Sequence, residues 1–198
     1  MIPECAQLLD RAEKELRGAD HMVYITYPLI KDNRILKSVL DQMHNIAENI
    51  VHSVLNYEFR YMRIGPITIT KLDVSGQNWS TFMKCYSRFN MSAEEITKLR
   101  EMLEIIARHQ SSAVEFTRKD RLVFMSNGAH AESVGFDQMK AYMNNLKAIL
   151  KKAKDKICAP ESSPESAPDG AQSAPSPRPV APDKLSETFF RVFNPFRR

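Results

Sequence analysis

The sequence has no apolar run approaching the roughly 18 residues of a membrane-spanning helix. It is short of cysteine: Cys5, Cys85 and Cys158 are an odd count with no short spacing between any two. That excludes a disulfide framework and a cysteine zinc motif, and favours a reducing compartment over secretion. The five histidines, His21, His44, His52, His109 and His130, lack the close spacing that a shared metal ion needs. No metal and no cofactor is therefore expected. The first sixteen residues, "MIPECAQLLDRAEKEL", carry Glu4 and Asp10 where a secretory leader would have a basic patch and then an apolar stretch. These absences together predict a cytoplasmic protein.

Proline is scarce in the first part of the chain. Only Pro3, Pro28 and Pro66 precede residue 158, and the other eight of the 11 follow it. Residues 159–182 contain one apolar side chain larger than alanine or proline, Val180. Such a stretch cannot bury enough surface to offset chain entropy of roughly 1–2 kcal/mol per residue. The sequence thus divides into a globular domain over 1–157, a Pro/Ser/Ala-rich disordered linker over 158–182, and a terminal peptide over 183–198. Hydrophobic content of 43% and charged content of 26% are ordinary for a folded domain, and the formal charge of +4 is mildly basic.

Within the domain the apolar spacing predicts a mainly α fold. Pro3 suits a first helical position, and Leu8, Leu9, Ala12, Leu16, Ala19 and Val23 recur at three- and four-residue intervals. Pro28 and the "KDN" stretch should end that helix. From Ile35, the residues Leu36, Val39, Leu40, Met43, Ile46, Ala47, Ile50 and Val54 form a broad apolar face lasting to about Met62. Two long helices joined by a tight turn make an antiparallel hairpin. Pro66 and the β-branched residues 67–70 predict an extended piece, and "NWSTFMKCYSRF" a short helix. Ser92 and Glu95 have the spacing of a capping box for the next helix. Asn127-Gly128 between two extended runs predicts one β-hairpin, with strands at 121–126 and 129–134 and a final helix from Asp137.

Three sets of side chains are candidates for chemistry. His21 is flanked by Asp20 and Tyr24; a histidine oriented by a carboxylate beside a phenol could act as a general acid or base. The plainer alternative is local hydrogen bonding at the edge of the core, since neither a nucleophile nor a phosphate-binding loop accompanies the set. His44 and His52, eight apart on one helix, read as ordinary surface or boundary histidines. The second set is basic: Arg118, Lys119 and Arg121 lead into the hairpin, and Lys140, Lys147 and Lys151 lie on a last helix with no acid between Asp137 and Asp155. These offer phosphate contacts to RNA or DNA, or simply a solvated face.

The stretches "GADHMVYITYPLIKDNRIL" and "SAVEFTRKDRLVFMSNG" resemble a group of small, largely uncharacterised helical proteins from archaea, over about residues 5–155. That resemblance implies a helical domain and carries no known activity. The paired helices are also loosely similar to HEPN domains, many of which cleave RNA. Their signature places four to six residues between an arginine and a histidine, and here Arg17 and His21 have only three between them.

The third set closes the chain. In "DKLSETFFRVFNPFRR", a helix over 184–196 would align Leu185, Phe189, Phe193 and Phe196 on one stripe with Phe190 beside it. A free tail with four phenylalanines is an aggregation liability unless something covers them. Three recipients fit: a partner protein's hydrophobic groove, a membrane surface favoured by the neighbouring arginines, or a groove of the domain itself. "KLSETFF" resembles a degenerate sliding-clamp binding peptide, without the usual glutamine and with Leu185 one position too far from Phe189. Function then reads as a non-enzymatic adaptor. The alternative is an RNA-processing or nucleotide-handling enzyme centred on His21 and Asp20, assisted by Tyr24, Arg118 and Lys119.

Overall fold

Helix α1 (Pro3–His21) buries Leu9, Ala12, Leu16 and Ala19 of the stripe that the three-and-four spacing predicts, and Cys5 besides, while Leu8 is half-buried. In this computed structural model, residues 3–66, 68, 70–118, 121–126 and 130–158 are described. Of the two expected stops, Pro28 and the "KDN" stretch, the helical path passes Pro28 and ends at Lys31, the first residue of "KDN". A π turn (Met22–Thr26) follows α1, and α2 (Tyr27–Ile30) carries Pro28 in its first turn. Proline has no N–H, and its ring crowds the carbonyl four residues back. The wider π turn just upstream gives that carbonyl room and lets the helix pass. Lys31 ends it in the left-handed region (φ 56°), its N–H donating to the Tyr27 carbonyl at 2.8 Å.

Asp32 then starts α3 (Asn33–Arg60), its Oδ1 accepting from the Arg34 N–H at 2.9 Å. The expected face from Leu36 to Val54 is buried throughout. Helix α5 (Ala93–Ser111) opens on the predicted capping box: Ser92 Oγ accepts from the Glu95 N–H at 3.2 Å, and Glu95 Oε2 accepts from the Ser92 N–H at 2.7 Å. Helix α6 (Phe136–Ile157) is the last described element.

Side-chain contacts fix how the four long helices run. Lys154 of α6 meets Asp10 and Glu13 of α1, while Lys147 meets Asp20, so α1 and α6 are antiparallel. Lys152 meets Glu95 and Tyr142 meets Glu101, so α5 and α6 are antiparallel too. With the α1–α3 hairpin this gives four helices of alternating direction around one core. The hairpin turn, the end of α5 and the start of α6 therefore share one end of the bundle.

Between α3 and α5 lies a long connection containing the short helix α4 (Gln77–Phe82), which buries Trp79 and Phe82, and a 3₁₀ turn (Tyr86–Phe89). The extended piece expected over 67–70 is not a strand in its described residues, and Ile67 and Ile69 lie outside them. Instead α3 clasps this connection. His52 Nε2 donates to the Thr70 carbonyl at 3.1 Å, Glu48 Oε1 accepts from the Leu72 N–H at 2.9 Å, and His44 Nε2 donates to the Leu72 carbonyl at 3.3 Å. His44 and His52 are consequently buried, not surface residues.

The expected hairpin proves to be two thirds of a three-stranded antiparallel sheet. Strands β1 (Glu115–Arg118), β2 (Arg121–Ser126) and β3 (His130–Gly135) pair in that order, with Glu115 and Glu132 on either side of Phe124. Leu122, Phe124 and Val134 face the core. The Asn127-Gly128 turn lies outside the described residues. The chain as a whole divides into Met1–Glu161 and Ser162–Arg198. Of the linker expected over 158–182 only Cys158, the C-cap of α6, is described; the rest of it and the terminal peptide, with Leu185 and the four phenylalanines, fall outside the described residues. No described helix is long and apolar enough to cross a membrane.

Candidate functional sites

Asp20, His21 and Tyr24 occupy one turn of helix, but neighbouring helical residues point about 100° apart. Asp20 and Tyr24, four apart, both face α6. Asp20 accepts from Lys147, and Tyr24 donates its hydroxyl to Asn144 Oδ1 at 3.4 Å. The Nζ atoms of Lys147 and Lys140 lie 5.2 and 5.8 Å from the centre of the Tyr24 ring. His21 points elsewhere, its Nδ1 sharing a hydrogen bond with Thr26 Oγ1 at 3.2 Å. The structure thus joins Asp20 to Tyr24 through a lysine and separates both from His21. A groove of about 320 Å³ beside them is floored by Leu16 and Leu150 and edged by Asp20, Lys147 and Lys151.

The basic candidates divide in two. On α6, Lys147 is engaged by Asp20, Lys140 lies 3.9 Å from Asp137, and Lys151 is exposed at the groove. On the sheet, Arg118 and Arg121 are register partners on β1 and β2, and Arg121 donates to Ser133 Oγ at 3.4 Å. Neither arginine has an acidic partner among the described residues. Lys119 lies outside them.

Two polar clusters were invisible in the sequence. In the first, Glu115 accepts from Lys37 Nζ at 2.6 Å through one oxygen and from His109 Nε2 at 2.9 Å through the other. The Lys37 hydrogen bond, more than the neighbouring imidazole, holds the Glu115 carboxyl below the usual carboxylate range. His109 is 5% exposed, edge-on to Phe124, and its Nδ1 is buried with no partner among the described residues. The enclosed ring ties β1 to α5, and Lys37 ties the same Glu115 to α3. In the second, Glu58 is fully buried and accepts from Arg63 at 3.1 Å and from Arg88. Both sets join residues 30 or more apart in sequence at one vertex, so no local spacing announces them.

A cleft of about 440 Å³ lies between α5 and the connection, lined by His44, Lys71, Asp73, Leu103 and Gln110. Its polar groups are mostly engaged, Lys71 with Gln110 at 3.1 Å and Asp73 with Ser75 at 2.6 Å. Burial pushes the Cys5 thiol up to about 11 and raises that of Cys85, which leaves both poor nucleophiles at neutral pH. Among the described residues no group of three or more His, Cys, Asp or Glu could hold a metal ion.

No protein-family model, no curated protein and no solved structure matches the chain. The resemblance to archaeal helical proteins rests on the quoted sequence stretches, and that to HEPN domains on the expected pairing of two long helices, without their arginine–histidine spacing.

Proposed function

We propose that the protein is a non-enzymatic adaptor whose C-terminal peptide recruits a partner through a hydrophobic groove. The observation that carries this is the set Leu185, Phe189, Phe190, Phe193 and Phe196, placed after a stretch too poor in apolar residues to fold. In helical form these side chains supply anchors at i, i+4 and i+8 for a groove. Each phenylalanine buried contributes roughly 1.5–3 kcal/mol before ordering costs, which suits a micromolar, reversible hook. By composition, the 24 residues of 159–182 would span roughly 25–30 Å if the chain is unfolded there. A sliding clamp belongs to this class of recipient.

The competing enzyme reading draws less support, because Asp20 is held by Lys147 and not by His21. Affinity capture from host lysate tests the adaptor. The full chain is compared with a chain ending at Cys158 and with the triple variant Phe189→Ala, Phe190→Ala, Phe193→Ala. A partner held by the full chain and lost from both others is expected, with a synthetic 183–198 peptide binding that partner at micromolar Kd. Equal capture by all three forms would overturn the proposal.

A further inference from the structure

At the hairpin end, Tyr27 is buried against Phe136 with ring centroids 4.8 Å apart, which turns the other side of α2 outward. Ile25, Leu29 and Ile30 are 50%, 79% and 64% exposed there. Three aliphatic side chains standing out on one helix tip are the reverse of what a water-facing surface requires.

Cations gather at the same end. Lys31 and Arg34 bracket the turn, and Lys37 follows one helical turn on. Lys140 lies 4.2 Å from the centre of the Phe136 ring. Arg121 pairs in register with Gly135, next to Phe136, and Arg118 pairs with Arg121. Among the described residues, acids at this end are paired: Asp32 with Arg34 at 3.8 Å, Glu115 with Lys37 at 2.6 Å, Asp137 with Lys140 at 3.9 Å and Glu132 with Arg108 at 2.8 Å. Arg118 and Arg121 remain without an acidic partner among the described residues; residues 119–120 between them lie outside that set.

We propose that this end docks the protein on an anionic lipid surface, with Ile25, Leu29 and Ile30 entering the interface and Arg118 and Arg121 facing the lipid phosphates. An aliphatic tip beside Arg118 and Arg121, which have no acidic partner among the described residues, complements that surface in both respects. Nucleic acid would use the arginines and leave the aliphatic tip in water. A second copy meeting through this end would set Arg118 and Arg121 against their own equivalents. The opposite end makes a useful contrast: Met62 is exposed there, but Arg63 is occupied by Glu58 and by the Tyr61 ring at 5.1 Å. This inference goes beyond the adaptor reading and uses none of the terminal peptide.

Vesicle flotation of the full chain tests it, with phosphatidylcholine vesicles made with and without phosphatidylserine. The variants are Leu29→Ser/Ile30→Ser, Arg118→Glu/Arg121→Glu and the triple phenylalanine variant of the tail. The full chain and the tail variant should float with phosphatidylserine vesicles and stay down with phosphatidylcholine alone, and salt should weaken the binding. Each of the other two variants should bind at least about tenfold more weakly, the arginine variant through lost attraction to the lipid phosphates and the serine variant through lost apolar burial. The arginine variant decides the matter if the serine variant loses its circular-dichroism signature. Several results would overturn the proposal. One is no flotation on phosphatidylserine, and another is flotation lost in the tail variant yet kept by Leu29→Ser/Ile30→Ser. Arginine-dependent binding of single-stranded RNA without lipid binding, or a dimer abolished by Leu29→Ser/Ile30→Ser, would do the same.

Discussion

Glu58 shows how little a single residue reveals before it is packed. In sequence it is one acid near the end of a helix; in the structure it is a fully buried carboxylate between two arginines. Each arginine is partly exposed, so either alone still neutralises the buried charge. The double variant Arg63→Ala/Arg88→Ala should therefore lose about 3–5 kcal/mol, with each single variant losing much less. Urea denaturation of the four forms measures this, and additive single losses would count against a shared site. Met62 offers the opposite case, with φ 53° and 93% exposure. Its side chain packs against little, and the left-handed backbone costs it roughly 1 kcal/mol that glycine would not bear. Met62→Gly should raise Tm, and a lower Tm would show that the side chain has a partner. His44 and His52 were visible as residues of one helical face. Their burial was not visible, because it comes from the backbone carbonyls of Leu72 and Thr70 in an irregular segment.

Elements specified by neighbours in sequence were the most legible. The capping box at Ser92 and Glu95 closes within four residues, so its spacing foretold its geometry. Strand β1 was hidden because only four residues, Glu115–Arg118, pair with β2, with no apolar alternation that buries a face. The π turn ahead of Pro28 was hidden too: a proline reads as a stop unless the turn before it can widen. Glu95 also joins α5 to α6, accepting from Lys152 Nζ at 2.7 Å. Burial raises its carboxyl, but hydrogen bonds from Lys152 and the Ser92 N–H outweigh burial, and the net shift is below the ordinary 4.5. A carboxyl lowered on folding contributes stability that is present above its unfolded pKa and is lost as pH falls through the folded value. Lys152→Met should thus destabilise by about 1–2 kcal/mol at pH 7. The gap to the parent should close as pH drops below 4.5 and Glu95 becomes neutral in both. A gap independent of pH would assign the effect to packing of the lysine stem.

The buried core of the described chain runs from Cys5 to Ile157. A chain ending at Cys158 should therefore melt at the Tm of the full chain, as scanning calorimetry would show. A fall of several degrees would mean that residues beyond 158 pack against the core. The sequence alone determined the number and extent of the long helices, the capping box, the paired strands β2 and β3, and a terminal stretch too proline-rich to build a core. Those features follow from periodicity, local hydrogen bonding and composition, each readable within a few residues. Only the tertiary structure decided that Asp20 belongs to Lys147, that Glu115 joins Lys37 to His109, and that exposed aliphatic and basic side chains meet at the hairpin end. Each of these arises where segments distant in sequence are brought together by apolar burial, which is indifferent to the polar groups it carries along.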